Sequence, residues 1–383
     1  MNVNLMKKIL FYYPSNKRSV QIESTLSELK KLGHEIILLT TCEKGTLHEE
    51  LEANGIKSFS TNINSTNSFI YYLRNVFYLA NFTKKHQVDL IFGNLQHANF
   101  IAVFAQYFTS AKLIAFRHHF KFNKGEFGIS LKVNKNEIKF DKVINRLAKI
   151  IVVPSSGVYK GMMKFEKVVK KKVHLIPYIY DFSKYNQPTE ESVQKIKDKY
   201  PARLRIIMVA RLIPFKRHIL LFPVFKKLID EGFDLKVLIL DEGPEKETLN
   251  NYITSNKLTE SLIMVGFTKE FLAYMKASDL LLHPSITEAS NSVVKEIGLL
   301  NKVVAVCRGV GDFDEYIEDR KNGYLMDIAQ PQIDAEKIIK EIYQDSTLKH
   351  KYGEKIQQSI KKHFFDKTQI VQLYTNLIEI TSK

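Results

Sequence analysis

Short apolar runs alternate with longer amphipathic segments along the whole chain. This alternation predicts parallel sheets flanked by helices, the α/β class. The first series of predicted strands comprises Ile9–Tyr13, Glu35–Thr40, Asp89–Phe92, Leu113–Phe116 and Ile150–Val153. The second series comprises Leu204–Val209, Leu235–Leu240, Leu262–Val265, Leu280–His283 and Val303–Val306. Between the first two strands we predict a helix over Val20–Leu32 that ends at Gly33, where a left-handed cap is expected.

The two series are separated by a polar and charged segment, residues 178–200, which we interpret as a linker. We therefore predict two Rossmann-like, doubly wound parallel-sheet domains, residues 1–178 and 179–363, that face each other across a cleft. Residues 364–383 are expected to form a helix that packs back on the first domain. Because ligands in this architecture bind at the carboxyl ends of strands, functional residues are sought in the loops that follow the strands.

The formal net charge of +16 is unevenly distributed. Residues 1–200 hold 31 Lys and Arg against 16 Asp and Glu, whereas residues 201–383 hold 26 against 25. No apolar run is long enough to span a bilayer, and no secretion signal is recognised at the start. The two cysteines, Cys42 and Cys307, lie in apolar strand-like contexts, which argues against a disulfide framework or a thiolate metal site. Together these features predict a cytoplasmic protein.

Four motifs follow strands of the second series in a fixed order. They are Val209–Lys216 (VARLIPFK), Leu240–Pro244 (LDEGP), Val265–Phe267 (VGF) and His283–Glu288 (HPSITE) continued to Glu296. In these motifs the chain resembles the donor domain of the family-four retaining glycosyltransferases, whose Glu-x7-Glu pair matches Glu288 and Glu296. The resemblance implies the GT-B fold and a nucleotide diphosphate sugar as donor, with residues 179–363 binding the donor and residues 1–178 the acceptor.

Two cations, Arg211 and Lys216, come at the carboxyl end of the strand Leu204–Val209, and a helix is expected to begin near Lys216–Leu220. Fixed cations at such a point suit a diphosphate, whose negative charge grows as the bond to the sugar breaks. The resemblance implies this role for both residues. The alternative is that both are ordinary solvated surface cations.

Glu288 and Glu296 are eight residues apart, a separation that turns an α-helix by about 800°, and the strand Leu280–His283 with Pro284 directly precedes Glu288. We expect Glu288 in a loop and Glu296 in a helix capped by Asn291 or Ser292, whose free first-turn N–H groups point at an anion. By resemblance, Glu288 holds sugar hydroxyls and Glu296 the ribose hydroxyls, with Gly243, Asn291, Ser292 and Val293 also lining the donor site. The alternatives are two surface glutamates and, for Gly243, a plain turn; Gly309 and Gly311 are open to the same two interpretations.

In the N-terminal half, Arg117-His118-His119 follows the strand Leu113–Phe116. A histidine there suits proton handling or positioning of the acceptor hydroxyl, because its ordinary pKa is near neutrality. The resemblance favours His118 as the catalytic residue, and a structural role for one of the two histidines remains open. The turn after the first strand, Tyr13–Lys17, lacks the glycines common in the family, and Ala289 stands where glycine is frequent.

Several kinds of site are missing from the sequence. No Asp-x-Asp motif, phosphate-binding Gly-x4-Gly-Lys loop or Gly-x-Gly-x-x-Gly turn is placed to act, so we expect neither a bound metal nor a cofactor beyond the donor sugar nucleotide. Nucleic-acid binding is disfavoured because aromatic runs such as Phe69–Leu73 and Phe100–Phe108 are interpreted as buried helices. A sugar-nucleotide epimerase of the same fold and a non-catalytic accessory subunit remain as alternatives.

The sequence thus predicts a hexosyltransferase-type enzyme that moves a sugar to a hydroxyl of a glycan or a lipid-linked acceptor, in cell-surface polysaccharide synthesis. The basic excess of the N-terminal half further suggests peripheral contact with an anionic membrane. The segment chosen for this contact combines Lys164, Lys167 and Lys170–Lys172 with Met162, Met163 and Phe165, a mixture found in interfacial helices. A solvated lysine-rich helix is the alternative.

Overall fold

The computed structural model describes residues 6–120, 135–184 and 187–382. These residues divide into two compact units. The first contains residues 6–120, 135–181 and 367–382, and the second contains residues 182–184 and 187–366.

The first unit is built on a seven-stranded sheet. Its strands are β1 (Lys8–Tyr13), β2 (Glu35–Thr40), β3 (Lys57–Ser60), β4 (Leu90–Asn94), β5 (Lys112–Phe116), β6 (Ile150–Val153) and β7 (Val173–Leu175). They lie in the order β3-β2-β1-β4-β5-β6-β7, and every pairing is parallel. The central strands are buried on both faces, as the continuous apolar runs predict.

Helices cover both faces of this sheet. They are α1 (Val20–Lys31), α2 (Thr46–Ala53), α3 (Ser68–Lys85), α4 (Leu95–Ala105), α5 (Lys135–Leu147), α6 (Ser156–Gly161) and, from the end of the chain, α15 (Thr368–Ser382). One apolar layer includes α3 and α4, and the other includes α1 and α15. The side chains of Ile370, Tyr374 and Leu377 on α15 are buried in the second layer.

The second unit repeats this plan on a six-stranded sheet. Its strands are β8 (Leu204–Val209), β9 (Leu235–Leu240), β10 (Leu262–Gly266), β11 (Leu280–His283), β12 (Val303–Cys307) and β13 (Tyr324–Met326). The order is β10-β9-β8-β11-β12-β13, again with parallel pairing. Its helices are α7 (Glu190–Lys199), α8 (His218–Asp230), α9 (Lys246–Ser255), α10 (Phe271–Ala277), α11 (Ser292–Leu299), α12 (Phe313–Tyr316), α13 (Pro331–Gln344) and α14 (Thr347–Phe364). The predicted pair of doubly wound parallel sheets is confirmed.

Three sequence interpretations need correction. Part of the predicted linker, residues 178–200, is the helix α7, which begins after Thr189 and buries Val193 and Ile196. The aromatic runs are not fully buried: Phe69 is 74% exposed at the start of α3, and Tyr107 and Phe108, in the 3-10 turn after α4, are 65% and 47% exposed.

The third correction concerns the lysine-rich segment after α6, which does not form an interfacial helix. A π-helical turn over Met162–Glu166 ends at Lys167, whose φ of 50° is left-handed, and a 3-10 turn follows at Lys170–Lys172. Met162 is fully buried, and the ring of Phe165 stacks on Phe120 at 5.6 Å between centroids. The side chains of Met162 and Phe165 therefore pack against other residues of the first unit. None of the helices in the described ranges is long and apolar enough to cross a membrane.

Candidate functional site

In the second sheet, the chain reverses its direction of strand addition between the neighbours β8 and β11. Such a switch point opens a crevice at the carboxyl ends of the two strands. The loops that follow β8 and β11 meet here, since the Ile286 amide donates to the Phe215 carbonyl at 3.1 Å. The structure therefore brings the motif after β8 beside the motif after β11.

The side chain of Arg217 connects these loops through hydrogen bonds. Its backbone is left-handed, with a φ of 53°, and it stands directly before α8. The buried guanidinium donates to the carbonyls of Pro284 and Ile328, each at 2.7 Å, and to Cys307 Sγ at 3.3 Å. A left-handed non-glycine residue costs about 1–3 kcal/mol, so these bonds hold a strained turn in place.

At the mouth of the crevice, Glu288 lies between Lys216 and His283. Glu288 Oε1 forms an ion pair with Lys216 Nζ and accepts from His283 Nε2 at 2.7 Å. Burial favours the neutral carboxyl, but the Lys216 ammonium and the His283 hydrogen bond outweigh it and hold the pKa of Glu288 far below its ordinary value. Burial also lowers the pKa of His283 against the pull of Glu288. Oε2 of Glu288 accepts no hydrogen bond within the part of the chain that the structure describes, so it is available to a ligand hydroxyl.

Arg211 lies at the carboxyl end of β8, as expected. Its side chain is exposed and makes no ion pair with any described residue. It thus differs from Lys216, whose side chain is only 14% exposed and is already paired. Among the described residues Arg211 is thus a cation with no ion-pair partner, in the loop that follows β8.

The helix α11 begins beside Glu288. Asn291 caps it by accepting from the Val294 amide at 3.1 Å, which selects Asn291 over Ser292 as the cap. Ser292 and Val293 form its first turn, and their amides donate to no described acceptor. Glu296 is 5% exposed in the second turn, whereas Glu288 lies in the preceding loop. The prediction that only one of the two glutamates is helical is confirmed.

Two glycines allow close approaches around this crevice. A Cβ built on Gly243 would lie 2.4 Å from the Leu212 carbonyl oxygen, so the loop after β9 can pack on the loop after β8 only with glycine there. Gly311 has a φ of +57°, and a Cβ there would lie 3.0 Å from the Cβ of Glu288. The glycine loop after β12 thus packs directly against Glu288.

A buried ion pair fastens this glycine loop to α11. Lys295, which is fully buried, donates to Asp312 Oδ2 at 2.8 Å, to Ser290 Oγ at 3.0 Å and to the Asn291 carbonyl at 3.1 Å. Burial lowers the pKa of Lys295, and Asp312 opposes that shift. Lys295 therefore holds both the loop that carries Glu288 and the loop that carries Gly311.

His118 lies in the first unit, after β5. Its Nδ1 is hydrogen-bonded to the hydroxyl of Tyr178, while Nε2 is buried and has no partner in residues 6–120, 135–184 or 187–382. Burial, with the neighbouring His119 and Arg117, lowers the pKa of His118 to about 3. The imidazole is therefore neutral at physiological pH.

The neighbouring Arg117 has a structural role, pairing with Glu166 at 3.2 Å and Asp141 at 3.1 Å. Across the described ranges, no three His, Cys, Asp or Glu side chains come together as metal ligands would.

The sequence predicted no role for four residues that shape the crevice: Arg217, His283, Lys295 and Asp312. Arg217 and Lys295 are cations in amphipathic segments, and a cation in such a segment is ordinarily predicted to be exposed to solvent. Around α11 Lys295 lies about 100° from Val294 and about 160° from Ile297, so the apolar pattern of that helix gave no signal that Lys295 is buried.

Comparison with known proteins agrees with this architecture. The model described as Glycosyltransferase Family 4 matches residues 19–184, and the model described as Glycosyl transferases group 1 matches residues 189–359. Alpha-monoglucosyldiacylglycerol synthase of Acholeplasma laidlawii is 28% identical over 195 residues, 48% of this chain and 48% of the synthase. The match thus spans about half the length of that relative.

A second relative is matched along nearly its whole length. N-acetylgalactosamine-N,N'-diacetylbacillosaminyl-diphospho-undecaprenol 4-alpha-N-acetylgalactosaminyltransferase of Campylobacter jejuni is 23% identical over 378 residues, 95% of this chain and 96% of the relative. Among solved structures, Anabaena HepE in complex with UDP-glucose has a TM-score of 0.79 at 19% identity, covering 97% of this chain and 100% of HepE. This structural likeness establishes the GT-B fold. Between them, the two family models match every strand except β1 and include the loops after β8 and β11, and the chain belongs to the glycosyl transferases of group 1, with a family 4 region in its N-terminal half.

Proposed function

We infer that the chain transfers a sugar, with retention of anomeric configuration, from a nucleotide diphosphate sugar to a hydroxyl of a glycan or a lipid-linked acceptor. The observation that carries this inference is Glu288, whose Oε1 is held by Lys216 and His283 while Oε2 has no partner among the described residues. A carboxylate fixed in this way at a switch point suits the hydroxyls of a bound sugar.

The diphosphate of the donor fits between the cations and the start of α11. Arg211 has no ion pair among the described residues, and the first-turn amides of α11 at Ser292 and Val293 are free of described acceptors. Arg211 and these amides would bind the departing phosphate more strongly as it gains negative charge, and this stabilisation of the transition state speeds the reaction. Gly243 and Glu296 are assigned to the nucleotide side of the same site.

The transfer itself balances without a protein nucleophile. The bond between the sugar C1 and the phosphate oxygen breaks, and the acceptor oxygen forms its bond to C1 on the same face. The acceptor proton passes to the departing phosphate oxygen. Lys216 and Arg211 stabilise the charge that this step leaves on the diphosphate.

Residues 1–178 are assigned to acceptor binding and residues 179–363 to donor binding. His118 is the candidate for positioning the acceptor hydroxyl, because burial holds its pKa at about 3 and so keeps the ring neutral. A neutral ring can orient a hydroxyl without adding charge beside it.

The activities of the relatives support the substrate classes. One relative is a diacylglycerol glucolipid synthase, another acts on a diphospho-undecaprenol acceptor, and HepE was crystallised with UDP-glucose. We extend these classes to this chain as a UDP-sugar donor and a lipid-linked or glycan acceptor, with action at the cytoplasmic face of a membrane in cell-surface polysaccharide synthesis.

The first test is a melting-temperature screen against UDP-, GDP- and ADP-sugars, followed by release of nucleoside diphosphate with and without a lipid-linked acceptor. We expect one donor to raise the Tm, release to depend on the acceptor, and the new linkage to keep the donor's anomeric configuration. Conversion of the sugar nucleotide without any acceptor would instead identify an epimerase. Donor binding without release would identify an accessory subunit.

A further inference from the structure

The outer side of α3 carries an apolar surface that the fold leaves uncovered. Four of its side chains are at least 40% exposed, and three of them, Phe69, Leu73 and Phe77, follow one another at intervals of four residues with Ile70 beside them, so they form one stripe along the helix. The 3-10 turn after α4 adds two more, and Phe77 contacts Phe108 there at 5.3 Å between ring centroids. We call this surface the α3 face; it comprises Phe69, Ile70, Leu73, Phe77, Tyr107 and Phe108.

Cations border the α3 face, and no carboxylate does so from its own helix. Between Asn62 and Val88 the charged residues are Arg74, Lys84 and Lys85. All three are exposed and form no ion pair within the described ranges. On a helical projection Lys84 continues the apolar stripe two turns beyond Phe77, while Arg74 and Lys85 flank it. The arrangement is an apolar band with positive charge along one edge and at one end.

We propose that the α3 face docks the protein on an anionic lipid bilayer, with its aromatic and aliphatic side chains in the interfacial layer and its cations against lipid phosphates. Exposed apolar side chains together with unpaired cations on one helix are the features that hold interfacial helices at membranes. The basic excess of residues 1–200 adds attraction over a longer range. The α3 face thus takes the place of the lysine-rich segment at 162–172, whose Met162 is fully buried and whose Phe165 stacks on Phe120.

A second copy of the chain is a poorer occupant. A two-fold interface places the same patch opposite itself, which would bring Arg74, Lys84 and Lys85 of both copies together. No Asp or Glu lies between Asn62 and Val88 to pair with them. An anionic lipid surface satisfies the same three cations.

This proposal goes beyond the proposed function and does not depend on it, because vesicle binding is measured without a donor or an acceptor. The test is co-sedimentation with vesicles of equimolar phosphatidylglycerol and phosphatidylcholine, and with vesicles of phosphatidylcholine alone, at low and high salt. We expect the wild type to pellet with the anionic vesicles at low salt, and its partitioning to fall at least about tenfold with neutral vesicles or at high salt.

Two matched pairs of variants locate the contact. Phe69→Ser/Phe77→Ser should lower partitioning at least about tenfold, whereas Ile333→Ser/Ile380→Ser, at exposed positions on α13 and α15, should leave it unchanged. Lys84→Glu/Lys85→Glu should lower it by a similar factor, whereas Lys170→Glu/Lys171→Glu, with the same charge change at exposed positions of the same unit, should lower it less than threefold.

Three results would overturn the proposal: no pelleting of the wild type with anionic vesicles, equal losses in both members of a matched pair, or a dimer that Phe69→Ser/Phe77→Ser converts to monomer while vesicle binding is unchanged. The last would show that a second copy covers the α3 face. Melting temperatures of all variants are measured alongside, and the exposure of the substituted side chains predicts that they remain folded.

Discussion

Lys216 and Glu288 form an ion pair in which the two side chains are only 14% and 10% exposed. Away from water, each charge stabilises the other more strongly than on a surface, so neither is free while the site is empty. In the proposed donor complex the diphosphate shares the Lys216 ammonium with Glu288 Oε1, while the sugar hydroxyl bonds to Glu288 Oε2. We therefore expect donor binding to add contacts to both side chains while the ion pair stays in place.

Replacing Glu288 tests the sugar contact directly. Glu288→Gln keeps the shape but loses the charge that Lys216 and His283 hold, so we expect turnover to fall about 100-fold or more. Glu296→Ala should also remove most turnover. Steady-state kinetics and melting curves on both variants measure the effect, with Glu247→Gln on the exposed side of α9 as the control. Near-normal turnover in both site variants would contradict the donor-site assignment.

The cations are expected to act more on the transition state than on the bound donor. Arg211→Ala and Lys216→Ala should lower kcat by a larger factor than they raise the Kd for the donor, because negative charge on the diphosphate grows as the sugar leaves. Titration calorimetry and single-turnover rates give the two factors. Lys226→Ala, on α8 and paired with Asp230 at 2.8 Å, is the control for a surface cation. Equal factors in kcat and Kd for the site variants would contradict this role.

Acid should destabilise the protein in part through His218. This residue is 1% exposed, its Nδ1 has no partner among the described residues, and burial lowers its pKa from 6.5 to about 3. Below pH 6.5 His218 binds a proton in the unfolded chain but stays neutral in the folded chain. Each unit by which the pH is lowered should therefore reduce the free energy of unfolding by about 1.4 kcal/mol through this residue.

The free energy of unfolding from urea titrations between pH 7 and about 4.5 tests this slope. His218→Gln should flatten the pH dependence relative to the wild type. Parallel curves for the wild type and His218→Gln would show that His218 is protonated in the folded state.

Activity should survive chelation. The phosphate site is assigned to Arg211, Lys216 and the start of α11, so we expect turnover in excess EDTA to match turnover in buffer within about twofold. The assay includes added Mg²⁺ and Mn²⁺ as the comparison. Complete loss in EDTA that either metal restores would mean that a metal ion holds the diphosphate.

Much of the second unit follows from periodicity, because its central strands are buried on both faces and read as continuous apolar runs. The missed strands β3, β7 and β13 are edge strands of three or four residues. An edge strand needs only one neighbour and can be short, so it leaves little pattern. The loop position of Glu288 followed from the strand Leu280–His283 and Pro284, which come directly before it, and the helix α11 begins only at Ser292.

Periodicity could not predict which cations are buried or which aromatic residues are exposed. Lys295 and Arg217 are buried because distant carbonyls and Asp312 surround them, and those partners lie on other elements of the fold. Phe69 and Val76 are seven residues apart and so lie on nearly the same side of α3, yet Phe69 is 74% exposed and Val76 is 7% exposed. Their different positions along the helix separate them, and periodicity carries no information on that.

The pair of Lys295 and Asp312 has a consequence for how this protein can diverge. Losing either partner leaves a buried charge uncompensated, at a cost of about 3–5 kcal/mol, while replacing both by apolar residues of similar volume can be nearly neutral. Natural variants of this chain are therefore expected to keep both residues or to have exchanged both. Single exchanges at either position would be purged by selection even though neither side chain need touch a substrate.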